Sequence, residues 1–288
     1  MRINGKELAN LIIEDLKKKV EGMEKKPHLA DFLIDGQPHD YAFVRTKERN
    51  VQKVGGTFSF FDYPKIPDFF EFANKLRSVG NDPSVTGIII QQPLPKNLST
   101  DTIYNYIHLK KEIEGHKNKS DFYPPLGLAV LTILKYIFMP GDKTDVDMVK
   151  VNFKKDAQFF KQVLKRKKIV LIGKGETGGK PVGHLLNQAK INFINIQSKT
   201  PNPEFFYKEA DIIISAVGKK ILKPEHIKQG VILMNIGLHR ENDSWKGDYD
   251  EEEIKDIAGF YTPTTGGVGP LDIAYLVDNL VKATKMQE

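Results

Sequence analysis

The stretch KIVLIGKGETGGKPVGHLL, Lys168–Leu186, combines an apolar run, a cluster of glycines and a segment with helical spacing. The run KIVLIG is typical of a buried strand, and KPVGHLLNQAK is typical of the helix that follows such a strand. Between them, Gly173, Gly175 and Gly178 satisfy the pattern G-x-G-x-x-G. Glycines allow a tight turn there, and the amide groups at the helix N-terminus can then bind a phosphate. This context favours a dinucleotide-binding turn over an ordinary strand-to-helix turn.

The next predicted strand, NFINIQ, is followed by the residues SKT. NAD-binding folds usually place an Asp or Glu here, which accepts a hydrogen bond from the ribose 2′-hydroxyl. In this chain Ser198 offers a hydroxyl, Lys199 offers a cation, and Lys174 adds a charge inside the glycine loop. These groups suit a 2′-phosphate better than a free ribose, so the sequence favours NADP over NAD. The alternative for Lys199 is a solvated surface lysine.

Strand and helix patterns alternate on both sides of this turn, which predicts an α/β fold with mostly parallel sheets. The predicted strands are HLADFLID, TGIIIQQPLP, DIIISAVG, VILMNIG and GFYTPT, and the predicted helices include residues 1–25, YAFVRTKERNVQKVG, LGLAVLTILKYIF and LDIAYLVDNLVKATK. We expect two domains with a cleft between them. Residues 1–139 and the C-terminal helix 271–288 form an N-terminal α/β substrate domain, and residues 168–270 form a Rossmann-type NADP-binding domain. Residues 140–167 are polar and charged and are predicted to be an insertion or linker.

The composition is that of a globular protein, with 288 residues, 40% hydrophobic and 28% charged. The absence of cysteine excludes disulfides, thiolate catalysis and Cys-ligated metals, and we predict no metal site. No apolar run reaches the roughly 18 residues that a membrane span needs. The net charge of +6 comes mostly from lysines, and residues 154–168 are interpreted as an amphipathic helix rather than a nucleic-acid-binding patch. We therefore predict a cytoplasmic protein that binds neither membranes nor nucleic acid.

Four stretches occur in an order and spacing that match one known family over nearly the whole chain, apart from about residues 115–168. They are DGQPHDYAFVRTKERNVQKVG, NDPSVTGIIIQQPLP, GKGETGGKPVGHLL and YTPTTGGVGPLDIAYLVDN. Together they resemble the bifunctional methylenetetrahydrofolate dehydrogenase/methenyltetrahydrofolate cyclohydrolases, the FolD family. The resemblance implies NADP-dependent oxidation of 5,10-methylenetetrahydrofolate to 5,10-methenyltetrahydrofolate, and hydrolysis of that product to 10-formyltetrahydrofolate. It also implies a homodimer.

The resemblance assigns roles to individual residues. Lys47 falls on the family's catalytic lysine, and Gln91 falls on the glutamine that hydrogen-bonds this lysine. Glu114 stands where the family has an aspartate that holds the N–H donors of the pterin. Further expected substrate-binding residues are Phe43, Pro93, Leu94, Gly266, Gly267 and Asp272, and Leu238 is expected to bind the cofactor. The alternatives are an ordinary helix lysine at Lys47 and a surface glutamate at Glu114.

Several residues depart from the family pattern. The family tyrosine four residues before the lysine is Phe43, whose ring can still stack on a pterin but lacks the hydroxyl. The family threonine near the last motif is Asp272, which either faces the substrate or caps or charges the first turn of the final helix. The serine of the glycine loop is Gly175. These changes leave two alternatives, a catalytically impaired relative that binds folate or NADP and a dehydrogenase for a different one-carbon carrier.

Overall fold

The structure is a computed structural model that describes the whole chain except residues 100, 101 and 118. The chain forms two compact units, which we name by their sheets. The five-stranded unit comprises Met1–Leu11 and Leu126–Asp272, and the three-stranded unit comprises Ile12–Pro125 and Ile273–Glu288. Both units are α/β with parallel sheets, as the alternating pattern predicted.

The limits of these units differ from the predicted domain limits in three places. Residues 1–11 and 126–139 were expected with the substrate domain, and residues 140–167 were expected outside both domains. Here all three stretches belong to the five-stranded unit. The C-terminal residues 273–288 belong to the three-stranded unit, where their helix was expected.

The three-stranded unit has the strand order β2-β1-β3, with both pairs parallel. Its strands are β1 (His28–Ile34), β2 (Thr57–Tyr63) and β3 (Gly87–Ile90), and its helices include α1 (Gly5–Glu21, which begins in the other unit), α2 (Pro38–Lys53) and α3 (Phe69–Asn81). The sequence predicted β1 and β3 but not β2. That strand lies at the sheet edge and is only partly buried, so TFSFFDY lacks the continuous apolar run that marked its neighbours.

Side chains on successive residues of β1 point to opposite faces of the sheet. Ala30, Phe32 and Ile34 pack in a hydrophobic cluster that also contains Phe72 and Leu76 of α3. The residues between them, including Asp31, therefore lie on the other face. This parity decides which side chains of β1 and β3 can meet α2.

The five-stranded unit has the order β10-β7-β6-β4-β5, all parallel. In chain order its elements are α4 (Pro125–Phe138), α5 (Val146–Val149), α6 (Phe153–Val163), β4 (Ile169–Ile172), α7 (Gly179–Gln188), β5 (Ile194–Ile196), α8 (Pro203–Glu209), β6 (Ile212–Ser215), β7 (Ile232–Asn235), the hairpin β8 (His239–Glu241) and β9 (Ser244–Lys246), α9 (Glu251–Ile254), β10 (Phe260–Tyr261) and the start of α10 (Val268–Lys285). Since β5 and β6 lie on opposite sides of β4, the strand order reverses at β4. Parallel α/β sheets bind ligands at such a reversal, beyond the carboxyl ends of the strands.

Residues 140–167 contain the helices α5 and α6 and buried side chains such as Val149 and Phe160, so they do not form a loose linker. Helix α6 confirms most of the amphipathic helix predicted over residues 154–168, although it ends at Val163, and Phe160 on its inner face is fully buried. The buried ammonium group of Lys135 in α4 donates to the carbonyl of Lys150 at 2.7 Å and to the Asp156 carboxylate at 2.9 Å. These bonds tie α4 to the stretch that follows it.

No helix within the described part of the chain combines the length and the apolar character needed to cross a bilayer.

Candidate functional site

Lys47 is half-buried on the third turn of α2. The helix starts at Pro38, where the missing amide hydrogen costs nothing, and the Asp40 carboxylate accepts a hydrogen bond from the backbone amide of Gln37 at 2.8 Å. The Nζ of Lys47 donates to the Oε1 of Gln91 at 2.7 Å. The structure thus brings together the two residues that the sequence assigned to catalysis.

Gln91 follows directly after β3, and its backbone amide continues the sheet by donating to the carbonyl of Phe32 at 2.8 Å. Its side chain lies on the face opposite the Phe32 cluster, because Ile88 and Ile90 pack into that cluster and Gln91 is the next residue. The Nε2 of Gln91 donates to both carboxylate oxygens of Asp31, each at 2.8 Å. The amide therefore bridges a lysine and a carboxylate.

Asp31 is fully buried in the middle of β1 and was not identified from the sequence. Burial raises the pKa of its carboxyl group to about 6, and the negative charge of Glu114 acts in the same direction. The positive charge of Lys47 and the hydrogen bond from Gln91 partly oppose this rise in pKa. The available sequence signal was a charged residue inside the otherwise apolar run HLADFLI.

The negative charge of Glu114, the residue expected to bind the pterin, contributes to the raised pKa of Asp31. The Oε2 of Glu114 is 3.6 Å from the Nε2 of His116, whose ring stacks on Tyr104 with 4.5 Å between ring centroids. The buried Glu112 accepts a hydrogen bond from the backbone amide of Glu114 at 2.9 Å. Burial raises the pKa of Glu112, whereas the charge of His116 lowers it. Sequence reasoning missed Glu112, His116 and Tyr104.

The aromatic residues of α2 separate as helix geometry requires. Phe43 lies one turn before Lys47 and has an exposed side chain. Tyr41 points away from them and donates its hydroxyl to the Asp62 carboxylate of β2 at 3.1 Å. The Tyr41 hydroxyl therefore does not replace the one that Phe43 lacks.

Of the two residues expected to bind substrate after β3, Pro93 is exposed and Leu94 is buried in the cluster with α3. The backbone amide of Leu94 donates a hydrogen bond to the Oε1 of Gln92 at 3.1 Å. The Nε2 of Gln92 in turn donates to the Tyr104 hydroxyl at 2.6 Å. This bond connects the end of β3 to the Tyr104–His116 stack.

The glycine loop lies in the five-stranded unit, between β4 and α7. Gly173 has a φ of +99°, and a Cβ atom there would lie 2.5 Å from the carbonyl oxygen of Ala216. A Cβ on Gly178 would lie 3.0 Å from that of Ala216. At Gly175, by contrast, no atom of the described residues other than its own chain neighbours lies within 4 Å of a Cβ position. The outer glycines are thus needed for packing, whereas the middle one faces open space that a phosphate could fill.

The polar residues predicted to select the cofactor lie at the same edge of the sheet. The backbone amide of Gly173 donates to the carbonyl of Ile196 at 2.9 Å, which sets the ends of β4 and β5 side by side. Lys174 in the loop and Ser198 and Lys199 after β5 are all exposed there. A phosphate near Gly175 and a second one near Ser198 fit this arrangement of cations and amides.

Leu238 follows β7 at this edge and is partly exposed. Its carbonyl oxygen lies against Gly218, which has a φ of +74° and would place a Cβ atom 3.0 Å from that oxygen. Asp248, which the sequence did not identify, holds the loop that contains Gly218. Its buried carboxylate accepts hydrogen bonds from the backbone amides of Val217 at 2.9 Å and Gly218 at 2.8 Å.

Gly266 and Gly267 belong to the five-stranded unit, ahead of α10. Gly266 has a φ of +93° and accepts a hydrogen bond from the backbone amide of Lys6 at 3.0 Å. Gly267 is closely packed, since a Cβ atom there would lie 2.6 Å from the carbonyl oxygen of Pro263. Asp272 is partly exposed and lies beyond the first turn of α10, which begins at Val268. The interpretation of Asp272 as a cap or first-turn charge of this helix is therefore wrong.

Within the residues that the structure describes, no group of three or more His, Asp or Glu side chains is arranged to hold a metal ion.

Comparison with known proteins identifies both parts of the chain. Residues 3–114 match the tetrahydrofolate dehydrogenase/cyclohydrolase catalytic domain, and residues 157–288 match the NAD(P)-binding domain of the same family. The bifunctional protein FolD of Staphylococcus aureus is 30% identical over 290 residues, covering 99% of this chain and 96% of the relative.

Solved structures agree with this match. The bifunctional FolD methylenetetrahydrofolate dehydrogenase/cyclohydrolase of Campylobacter jejuni superposes with a TM-score of 0.85 at 27% identity, covering 100% of this chain and 99% of the other. A 5,10-methylenetetrahydrofolate dehydrogenase of the silkworm Bombyx mori superposes with a TM-score of 0.81 at 25% identity, covering 99% of this chain and 97% of the other.

Proposed function

Because this chain belongs to the tetrahydrofolate dehydrogenase/cyclohydrolase family, we propose that it oxidises 5,10-methylenetetrahydrofolate with NADP and hydrolyses the product to 10-formyltetrahydrofolate. The observation that carries this proposal is the 2.7 Å hydrogen bond between Lys47 and Gln91, which places an oriented amine within the catalytic part of the chain. In the oxidation, the bridging carbon loses a hydride and becomes the methenyl cation. Bound NADP supplies the acceptor for that hydride.

Hydrolysis requires a group that removes a proton from water as the water adds to the methenyl carbon. One carbon–nitrogen bond then breaks, the carbon remains as a formyl group, and a proton is released. The amine of Lys47 can accept that proton when it is neutral. Gln91 holds this amine through Oε1, which has no charge and so adds no counter-ion of its own beside the substrate.

The carboxylate of Glu114 is proposed to accept hydrogen bonds from the amino and ring N–H groups of the pterin. Its proximity to Asp31 supports this role, because it puts the carboxylate in the neighbourhood of the Lys47–Gln91 pair. His116 at 3.6 Å is a further polar contact for the same carboxylate. Phe43, one turn from Lys47, offers an exposed ring on which a flat heterocycle can stack.

The proposed site for NADP uses the loop from Gly173 to Gly178 and the N-terminus of α7. The open space at Gly175 leaves room for the diphosphate, and Gly178, which precedes α7 and has no side chain to cap the helix, leaves backbone amides for it. Lys174, Ser198 and Lys199 are proposed to bind the 2′-phosphate. If they do, replacing Lys199 with Ala reduces the preference for NADP over NAD, measured as the ratio of the two kcat/KM values.

The direct test of the proposed function is turnover by the purified protein. With methylenetetrahydrofolate and NADP we expect NADPH and methenyltetrahydrofolate to form, followed by 10-formyltetrahydrofolate. Lys47→Ala should lower the rate of 10-formyltetrahydrofolate formation by about a hundredfold or more, as loss of a general acid–base group does. The matched control is Lys53→Ala on the same helix, whose exposed lysine pairs with Glu14, and it should keep full activity.

Absence of NADPH formation above a reaction without the protein would refute the dehydrogenase. Thermal stabilisation by NADP and folate without any turnover would instead indicate a protein that only binds these ligands.

We also propose that the protein acts as a homodimer in the cytoplasm, without nucleic acid or a membrane as partner. Supporting a dimer, β2 is an edge strand, and the apolar side chains of Ile66 and Phe70 that follow it are exposed, Phe70 to 69%. Light scattering of the purified protein tests this, and Phe70→Glu should favour the monomer.

A further inference from the structure

Asp31 is a fully buried carboxylate that the family resemblance did not assign to any role. It lies on the central strand of its sheet, opposite Phe60 of β2 and Ile89 of β3, neither of which can pair with a charge. A carboxylate in such surroundings opposes folding unless hydrogen bonds or charges compensate for its lost hydration. Its position therefore requires an explanation.

The compensation comes from Gln91, whose Nε2 donates to both carboxylate oxygens at 2.8 Å. A glutamine amide has one donor end and one acceptor end. Since an ionised carboxylate can only accept, it holds the donor end. The acceptor end, Oε1, is then directed at the Nζ of Lys47, 2.7 Å away.

The charges that face Asp31 come from two elements. Lys47 approaches from α2, and Glu114 lies in the segment after β3. On β2, the carboxylate of Asp62 accepts a hydrogen bond from the Tyr41 hydroxyl at 3.1 Å. Burial and Glu114 raise the pKa of Asp31 to about 6, so its charge changes between mildly acidic and neutral pH.

We infer that Asp31 is a positioning residue, whose ionised carboxylate fixes the orientation of the Gln91 amide and thereby the position of the Lys47 amine. The catalytic part of this inference rests on the proposed function. Protonation reverses the arrangement, because a protonated carboxyl group carries its own donor and can turn Gln91 so that Nε2 faces the ammonium group. Two donors would then face each other, and Lys47 would lose its partner.

The first test is the pH profile of kcat for the hydrolysis of methenyltetrahydrofolate, measured for the wild type and for Asp31→Asn. We expect kcat of the wild type to fall as the pH is lowered through about 6. Asp31→Asn has the same shape without the charge, and we expect its kcat to be about tenfold lower with a less than roughly threefold change in KM, in the range of other positioning partners. Its pH profile should lack the acidic limb, which is the fall of kcat at low pH. Asp62→Asn, which changes an exposed carboxylate on the neighbouring strand, should keep that limb.

The second test does not need turnover. Labelling of Lys47 by an amine-reactive reagent at fixed pH, followed by mass spectrometry, reports how well this amine is held. We expect about threefold or faster labelling in Asp31→Asn, because without the carboxylate the Gln91 amide no longer holds the Lys47 amine firmly through Oε1. The exposed Lys53 is the internal control in the same sample.

Unchanged kcat, acidic limb and labelling in Asp31→Asn would overturn the inference. A lower kcat with the acidic limb and labelling rate retained would also overturn it, because that result indicates only a packing role. If the wild type has no activity, the proposed function fails, while the labelling experiment still decides whether Asp31 holds Lys47.

Discussion

Asp31 shows how one residue can oppose folding and still be retained. Its folded-state pKa of about 6 lies above the ordinary value of 3.8, so the folded protein binds this proton more tightly than the unfolded chain. The stability that the protonated group contributes is present at low pH and is lost as the pH rises through about 6. At neutral pH the ionised form therefore costs stability, which is expected of a group kept for function.

This reasoning predicts the effect of pH on the stability of Asp31→Asn. The free energy of unfolding of the wild type should fall between pH 4 and pH 7 by an amount on the order of 2 kcal/mol that the variant does not lose. Urea denaturation at both pH values measures the difference. Parallel curves for the two proteins would contradict the prediction, and Asp62→Asn should behave as the wild type does.

At the scale of residues, the sequence predicted some members of the site and missed others. Lys47, Gln91 and Glu114 followed from the resemblance, and the structure brings the first two into contact. Asp31 could not be found in this way, because Gln91, the residue that donates to its carboxylate, lies 60 residues later in the chain. Strand alternation predicts the sheet face on which a side chain lies, but it does not predict which polar group on that face becomes its hydrogen-bond partner.

At the scale of elements, the glycine loop separates glycines needed for packing from a glycine that leaves space. We expect Gly173→Ala to lose about 2 kcal/mol or more, because φ is +99° and the added Cβ would lie 2.5 Å from the Ala216 carbonyl oxygen. Gly175→Ala should change the free energy of unfolding by less than about 0.5 kcal/mol, as a substitution into open space. Urea denaturation tests both.

The same pair of variants also tests the cofactor site. Gly175→Ala should raise KM for NADP severalfold while leaving KM for the folate substrate nearly unchanged, since the methyl group occupies the space proposed for phosphate. Equal stability losses in Gly173→Ala and Gly175→Ala, with no change in KM for NADP, would show that this loop does not approach the cofactor.

Element prediction from the sequence succeeded where burial was continuous and failed where it was partial. The buried strands β1, β3, β4, β6 and β7 have apolar runs that were recognised. The edge strand β2 mixes exposed and half-buried residues and was missed. Helix α6 was recognised by its periodicity. The sequence did not show that Lys135 would be buried and donate to Asp156 of that helix, because a lysine in an apolar helix usually extends to solvent.

At the scale of the whole molecule, the last helix forms hydrogen bonds with a segment that lies far from it in the sequence. Asn279 of α10 is buried and donates from Nδ2 to the carbonyl of Ile113 at 2.8 Å and to that of Tyr123 at 3.0 Å. Ile113 directly precedes Glu114, so a side chain 166 positions away in the sequence holds the segment proposed to bind the pterin. Sequence patterns assign such a helix its buried face, but they do not reveal hydrogen bonds over this separation.

We therefore predict that Asn279→Ala acts on both stability and substrate binding. Two buried carbonyl groups lose their donor, which should cost about 2 kcal/mol in the free energy of unfolding. Because the backbone before Glu114 loses its anchor, KM for methylenetetrahydrofolate should rise severalfold while KM for NADP stays nearly constant. Lys285→Ala, an exposed change on the same helix, is the control. A stability loss with equal changes in both KM values would mean that α10 supports the fold in general and does not position Glu114.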